Sequence, residues 1–306
     1  MRVLGAAELR AALTMTAAVD ALEGAFLAED PALAAPLRTS LATPAGTLLT
    51  MPAAGAAGVG VKLVTLSEFN RQRGLPFIHA VYVLFDPETQ RPEALVDGTE
   101  LTAIRTAAVS ALATRYLAKP DASRLAIFGA GVQATTHLEA MLAIRPIRSV
   151  TVISRGTERA AGLVDRAIAA GVSARVGTPG DIGEADLVCT CTTSAVSVFD
   201  GGNLAPGTHV NAVGAYLPDQ REVDTEAVRR SRVVVETRDA ALAEAGDLLI
   251  PIAEGAIAPD HIVADLAELV RGATVRTGPE DVTLFESVGL AFEDLAVARA
   301  AIDTLP

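Results

Sequence analysis

Lys62 stands between Val61 and Leu63 in an otherwise apolar run. An ammonium is costly to bury there unless it is paired or does chemistry. Held in such a place it can orient an anion or, with a lowered pKa, exchange a proton. Arg105 is set among small residues within 100–118, where an arginine is more conspicuous than on a charged helix face. Arg38, in the run Pro36-Leu37-Arg38-Thr39, carries the planar fork that clamps a carboxylate with two parallel hydrogen bonds. Each arginine has an ordinary alternative on a solvated surface. His79 follows Pro76-Phe77-Ile78 on an expected strand and reads as a polar lining group or a satisfied core residue before it reads as a base. Tyr216 and Asp219, in Gly214-Ala215-Tyr216-Leu217-Pro218-Asp219, are a hydroxyl and a carboxylate three residues apart, each of a type that can exchange a proton.

A second feature concerns phosphate. The stretch Ile127-Phe128-Gly129-Ala130-Gly131-Val132-Gln133-Ala134 follows an apolar β run and precedes a helix. Gly129 and Gly131 allow a tight turn and close approach of backbone to a pyrophosphate, while Ala134 takes the place of a third glycine where helix packs on strand. The free N–H groups of the helix start then face the phosphates. In that context Gly129, Ala130, Gly131, Val132 and Gln133 form the phosphate-binding turn of a Rossmann-type domain, and a nicotinamide dinucleotide is the implied cofactor. The end of the next strand, roughly 25 residues on, should hold the adenosine ribose. It reads Ser154-Arg155-Gly156-Thr157, with no carboxylate to repel a 2′-phosphate and a guanidinium able to bind one. NADPH is favoured over NADH, with a solvent-facing loop arginine as the alternative. Thr190, Thr192, Val213 and Gly214 fall at the ends of expected parallel strands, the edge where such sheets bind ligands.

The elements needed to position these groups follow from pattern. Strands are expected at 124–129, 149–154, 173–176, 186–190, 209–213 and 232–235, with helices at 133–144 and 158–170. That alternation builds a doubly wound parallel sheet covered by helices. Before it, 39–49, 60–64 and 81–85 look extended, the last running into a turn at 86–89. A long helix over 100–118 feeds the nucleotide domain, and the chain from 287 is again helical. The fold class is α/β, a Rossmann-type domain at 118–286 plus a second, mainly β domain at 1–117 completed by the C-terminal helix 287–306.

Bulk properties narrow the partners. The 306 residues carry 25 basic and 37 acidic side chains, a net charge of -12, with no basic run. Nucleic acid and anionic membrane are poor partners for such a chain. The apolar stretches break well short of the roughly 18 residues a span requires, and Glu8 precedes any signal-like core, so a cytoplasmic protein is expected. Cys189 and Cys191, two apart on an expected strand, read as buried, reduced thiols and not as a disulfide or metal site.

Taken together, these motifs resemble the ornithine cyclodeaminase/μ-crystallin family, most closely its ketimine reductases. The resemblance runs through Val61-Lys62-Leu63-Val64-Thr65, Asp97-Gly98, residues 101–111, the glycine turn with Gln133-Ala134, Asn211-Ala212-Val213-Gly214-Ala215, Pro218 with Arg221-Glu222, and Val288-Gly289-Leu290-Ala291. It implies a homodimer whose β domain supplies the interface and the substrate pocket. It also implies an NAD(P)H-dependent reductase of α-imino acids such as pyrroline-2-carboxylate or piperideine-2-carboxylate.

By resemblance Arg38 and Lys62 hold the substrate carboxylate, Arg105 with Thr106 reaches cofactor phosphates and substrate, His79 lines the pocket where relatives often have glutamine, and Gly289 lies beside the nicotinamide. At Tyr216 the chain departs from the cyclodeaminases and the archaeal alanine dehydrogenases, which carry an aspartate there. That departure counts against ornithine deamination with bound NAD, the first alternative. A non-catalytic NADPH-dependent binder of small ligands is the second. Tyr216, Lys62 or water is left to supply the proton.

Overall fold

The computed structural model describes residues 1–305, and of Ala32, Leu33 and Arg71 the backbone alone. The chain divides into two compact units, Met1–Val109 with Gly289–Pro306, and Ser110–Val288.

The first unit is built on a six-stranded sheet of β1 (Arg2–Leu4), β2 (Thr39–Thr43), β3 (Gly46–Gly55), β4 (Gly58–Leu66), β5 (Ile78–Phe85) and β6 (Pro92–Asp97), in the order β1-β6-β5-β4-β3-β2. Every neighbouring pair is antiparallel except β1 with β6. Alternation along β4 sends Lys62 and Val64 inward and Leu63 outward, as the period of two requires. The inner face packs against the helix Ala291–Asp303, which also packs on the helix Met15–Ala28 through an edge-to-face contact of Phe26 with Phe292. After β5 the chain reverses around Asp86, whose Oδ1 accepts hydrogen bonds from the backbone N–H groups of Glu88 and Thr89.

The second unit holds an eight-stranded sheet, parallel throughout: β7 (Arg124–Phe128), β8 (Ser149–Ile153), β9 (Ser173–Val176), β10 (Leu187–Thr190), β11 (His209–Ala212), β12 (Ser231–Val235), β13 (Ile262–Asp265) and β14 (Val282–Glu286). Its order is β13-β12-β14-β11-β10-β7-β8-β9. The chain therefore winds outward in both directions from β7 and β10, and the crevice between those two is the topological switch point where doubly wound sheets bind ligands. The central strands are Val- and Leu-rich and buried on both faces, as helix-covered parallel strands must be.

Three differences from the sequence reading have physical causes. The two units meet in sequence at Val109/Ser110, inside the helix Gly98–Leu117, and not at 117/118. The far half of that helix belongs to the second core: Thr114 Oγ1 accepts from Asn211 Nδ2 at 2.9 Å, Ser110 Oγ meets His137 at 3.0 Å, and Arg145 donates to the carbonyls of Thr114, Arg115, Ala118 and Lys119. The C-terminal helix starts at Ala291 and not at 287, because Gly289 takes a φ of +81° and holds the chain out of helix. Strands β13 and β14 were not anticipated, and β14 inserts between β11 and β12, a placement that only long-range pairing decides. Cys189 is buried in β10, whereas Cys191 lies one residue past the strand and is half-buried; both are free thiols. Among the described residues no single helix is long and apolar enough to cross a membrane.

Candidate active site

In the first unit, three cations predicted from sequence meet around the start of the C-terminal helix. Lys62, 1% exposed, donates through Nζ to Asp294 Oδ1 at 2.9 Å and lies 2.7 Å from Oδ2. Arg105, buried on the long helix, places Nη1 3.0 Å from Glu293 Oε2 and Nε 3.3 Å from Asp294 Oδ1. Arg38, partly buried, donates through Nη2 to the carbonyl of Gly289 at 2.8 Å. A Cβ on Gly289 would fall 2.3 Å from Arg105 Nη1, so glycine is required there both by φ and by space.

Burial brings the Lys62 pKa down to about 8, opposed by the Asp294 charge and reinforced by the nearby charges of Arg105 and Arg38. Two guanidinium groups and one ammonium thus share this place with the carboxylates of Glu293 and Asp294. Cations of these types are the usual binders of a carboxylate ligand.

The remaining predictions for this unit divide. Thr106 is buried beside Arg105 and donates its hydroxyl to the carbonyl of Thr102 at 2.7 Å. His79 is not brought to the cluster. It occupies an odd position of β5, alternation turns it to the outer face, and there it is exposed. Glu293 and Asp294 were missed, because two acids at a helix start read from sequence as ordinary complements to the helix dipole. Tyr82 was also missed. It pairs in register with Lys62, is fully buried, and lays its ring over Gly60, where a Cβ would lie 1.9 Å from its hydroxyl.

In the second unit, the glycine turn joins β7 to the helix Val132–Ile144 at the switch point. Gly129 has a φ of +100°, and a Cβ there would strike the carbonyl of Cys191 at 2.5 Å. Gly131, the helix N-cap, would carry a Cβ into open space, and no side chain caps the helix. Ala130 and Gln133 are half-buried and Val132 exposed. This is an open cradle of backbone N–H groups, and it fits a dinucleotide pyrophosphate.

At the end of β8, Ser154 Oγ accepts from the N–H of Gly156, while Arg155 and Thr157 are exposed at the start of the helix Thr157–Ala169. Arg159, two residues further, is also exposed and lays its Nε 3.7 Å from the position of a Cβ on Gly156. At the carboxyl edge, Thr190 ends β10 and is buried, and Thr192, Val213 and Gly214 follow β10 and β11, half-buried. Tyr216 is half-buried in the loop after β11 and Asp219 is exposed there. The structure thus gathers Arg38, Lys62 and Arg105 in one unit, which also holds Thr106 and Gly289, and the other expected cofactor groups in the second.

Comparison with known proteins identifies the family. The sequence profile of the ornithine cyclodeaminase/mu-crystallin family matches residues 2–305. The chain is 38% identical to the Delta(1)-pyrroline-2-carboxylate reductase of Bacillus cereus over 278 residues, covering 86% of this chain and 84% of the relative. It is 37% identical to the ketimine reductase mu-crystallin of Rattus norvegicus, over 88% of this chain and 84% of that one. Its fold superposes on the Delta(1)-pyrroline-2-carboxylate reductase of Thermococcus litoralis, solved in complex with NADH and L-proline, with a TM-score of 0.94 and 36% identity over 99% and 97% of the two chains. The chain belongs to the ornithine cyclodeaminase/mu-crystallin family.

Proposed function

We propose that the protein is an NAD(P)H-dependent reductase of cyclic α-imino acids, converting ketimines such as pyrroline-2-carboxylate or piperideine-2-carboxylate to L-amino acids. The observation that carries this reading is the gathering of Arg38, Lys62 and Arg105 around the start of the C-terminal helix. Relatives named Delta(1)-pyrroline-2-carboxylate reductase and ketimine reductase mu-crystallin, each matched over 84% of its own length, support it. When bound, the reduced nicotinamide supplies the hydride.

The chain's own residues bind and orient. Arg38 and Lys62 grip the substrate carboxylate, and Asp294 and Glu293 fix the directions in which Lys62 and Arg105 present their protons, so the imine carbon is held in one pose. Gly129 to Gln133 would cradle the pyrophosphate, and Thr190, Thr192, Val213 and Gly214 the nicotinamide end. Arg155 favours NADPH by pairing with a 2′-phosphate. Imine protonation makes the carbon a better hydride acceptor. Lys62, with its lowered pKa, Tyr216 and water are the candidates for that proton.

The test is a turnover assay: NADPH and NADH oxidation with pyrroline-2-carboxylate, piperideine-2-carboxylate, and pyruvate plus ammonia or methylamine, run beside ornithine with NAD⁺. Oxidation with the cyclic imines is expected. Clean conversion of ornithine to proline without net cofactor consumption would replace this reading by the cyclodeaminase one, against which Tyr216 stands.

A further part of the proposal is assembly with a second copy of the chain, through the outer face of the first unit's six-stranded sheet. That face presents Leu41 at 62% and Leu63 at 37% exposure.

A further inference from the structure

Four carboxylates are buried together at the carboxyl edge of the eight-stranded sheet. Glu286 ends β14, in register with Val235, and Glu236 follows that residue. Glu222 lies in the segment after β11, and Asp247 stands in the first turn of the helix Gly246–Ala253. None is more than 1% exposed.

These groups hold backbone. Glu222 accepts N–H bonds from Thr192 at 2.6 Å and Gly214 at 2.7 Å, clipping the segments that leave β10 and β11. Asp247 Oδ1 in turn accepts the N–H groups of Glu222 and Val223 at 2.7 and 2.8 Å. Glu236 accepts from Ser287 Oγ and from the N–H of Val288. Both oxygens of Glu286, and Oδ2 of Asp247, are buried with no hydrogen-bond partner among the described residues.

The charged and titratable surroundings offer little compensation. Glu286 faces Asp247, Glu222 and Glu236; Asp247 faces Glu222 and Arg221; Glu222 also faces the Cys191 thiol. The Arg221 guanidinium is directed at Thr225 and Glu254. Among the described residues no group of three or more acidic, histidine or cysteine side chains could hold a metal ion. Carboxylates buried together in this way cannot all ionise. Burial, with the neighbouring Glu222 charge, brings Asp247 up to about 8, and burial with the acids around it holds Glu286 well above the usual carboxylate range.

We propose that this cluster retains at least one proton at neutral pH, and that the retained proton lets Glu222 keep its grip on the backbone after β10 and β11. Glu222, Asp247 and Glu286 are then positioning residues for the cofactor edge. The proton itself is independent of the reductase reading, but its consequence for cofactor binding rests on that reading. Loss of the proton sets like charges beside Glu222 and loosens Thr192 and Gly214.

The experiment is urea unfolding of the full chain between pH 7 and 8, where histidines are mostly neutral in both states. It is paired with NADPH binding followed by fluorescence over the same range and up to pH 9. For the native protein the unfolding equilibrium constant should rise about tenfold per pH unit for each proton the fold retains. Glu286→Gln, neutral and of the same shape, should remove about tenfold per pH unit from that slope, and NADPH affinity should no longer fall toward pH 9. Asp247→Asn keeps the Oδ1 acceptor and serves the same purpose if the first variant does not fold.

A slope identical in native and variant chains overturns the retained proton. So does a slope abolished by potassium or magnesium, which would mean that a cation takes its place. NADPH affinity indifferent to pH in the native protein overturns the positioning role. Failure of the reductase reading itself would appear in the turnover assay and leave the unfolding slope untouched.

Discussion

At the scale of single residues, the chemistry turns on how Lys62 is held. Burial pushes its proton off and Asp294 pulls it back, with the balance near pH 8. If the ammonium binds the substrate carboxylate, kcat/KM should fall about tenfold per pH unit above that point. Asp294→Asn removes the opposing charge while burial stays, so the midpoint of that decline should move to lower pH; a pH profile of both proteins checks this.

The same balance has a stability signature of determined sign. An unfolded lysine holds its proton to about pH 10.4, so between pH 8 and that value the unfolded chain binds more protons than the folded one, and the Lys62 contribution makes stability rise with pH. At the ribose end, Arg155→Ala should raise the Kd for NADPH roughly tenfold or more, since a charge-assisted bond to phosphate is worth about 1.5–3 kcal/mol, and leave NADH nearly unchanged. Titration with both cofactors tests this, and equal losses would assign the ribose site elsewhere.

At the scale of elements, the two glycines of the phosphate turn separate folding from binding. Gly129→Ala forces a side chain into a left-handed backbone conformation and against the carbonyl of Cys191, and should cost about 1–3 kcal/mol of stability, read as a lower Tm without cofactor. Gly131→Ala meets no protein atom and has an extended backbone, so Tm should hold while the methyl group obstructs the pyrophosphate and weakens NADPH binding.

Many elements of the second unit were readable before the structure: strand and helix periods placed 149–154 and 133–144 within one or two residues of β8 and the helix Val132–Ile144. Elements whose identity depends on a distant partner were not. The run Val282–Glu286 is a central strand because β11 and β12 flank it, and nothing local in five residues distinguishes that from a buried helix segment.

At the scale of the molecule, the outer face of the first unit's sheet predicts assembly. Leu41 and Leu48 pair in register on that face, and Leu63 extends it. A dimer is expected in solution by light scattering, and Leu63→Glu, which buries a charge in such an interface, should shift the mass toward the monomer with the fold intact by circular dichroism. His79 belongs to this face and not to the cluster of Arg38, Lys62 and Arg105. Its neighbour Pro76-Phe77-Ile78 fixed it on a strand, but which side of a two-sided strand faces the site depends on where the covering helix packs.

The sequence alone determined the cofactor class, the cations and the family blocks, because a glycine turn between strand and helix and a lysine in an apolar run are local features whose cost or strain shows in the residues themselves. Only the tertiary structure decided what those cations are paired with. Glu293 and Asp294 lie more than 180 residues from Arg105 in the chain and come to it only when the C-terminal helix returns to the first sheet. The acidic cluster around Glu222, Asp247 and Glu286 is of the same kind. Each carboxylate is unremarkable in sequence, and burying them together is what raises their pKa values and makes a proton part of the fold.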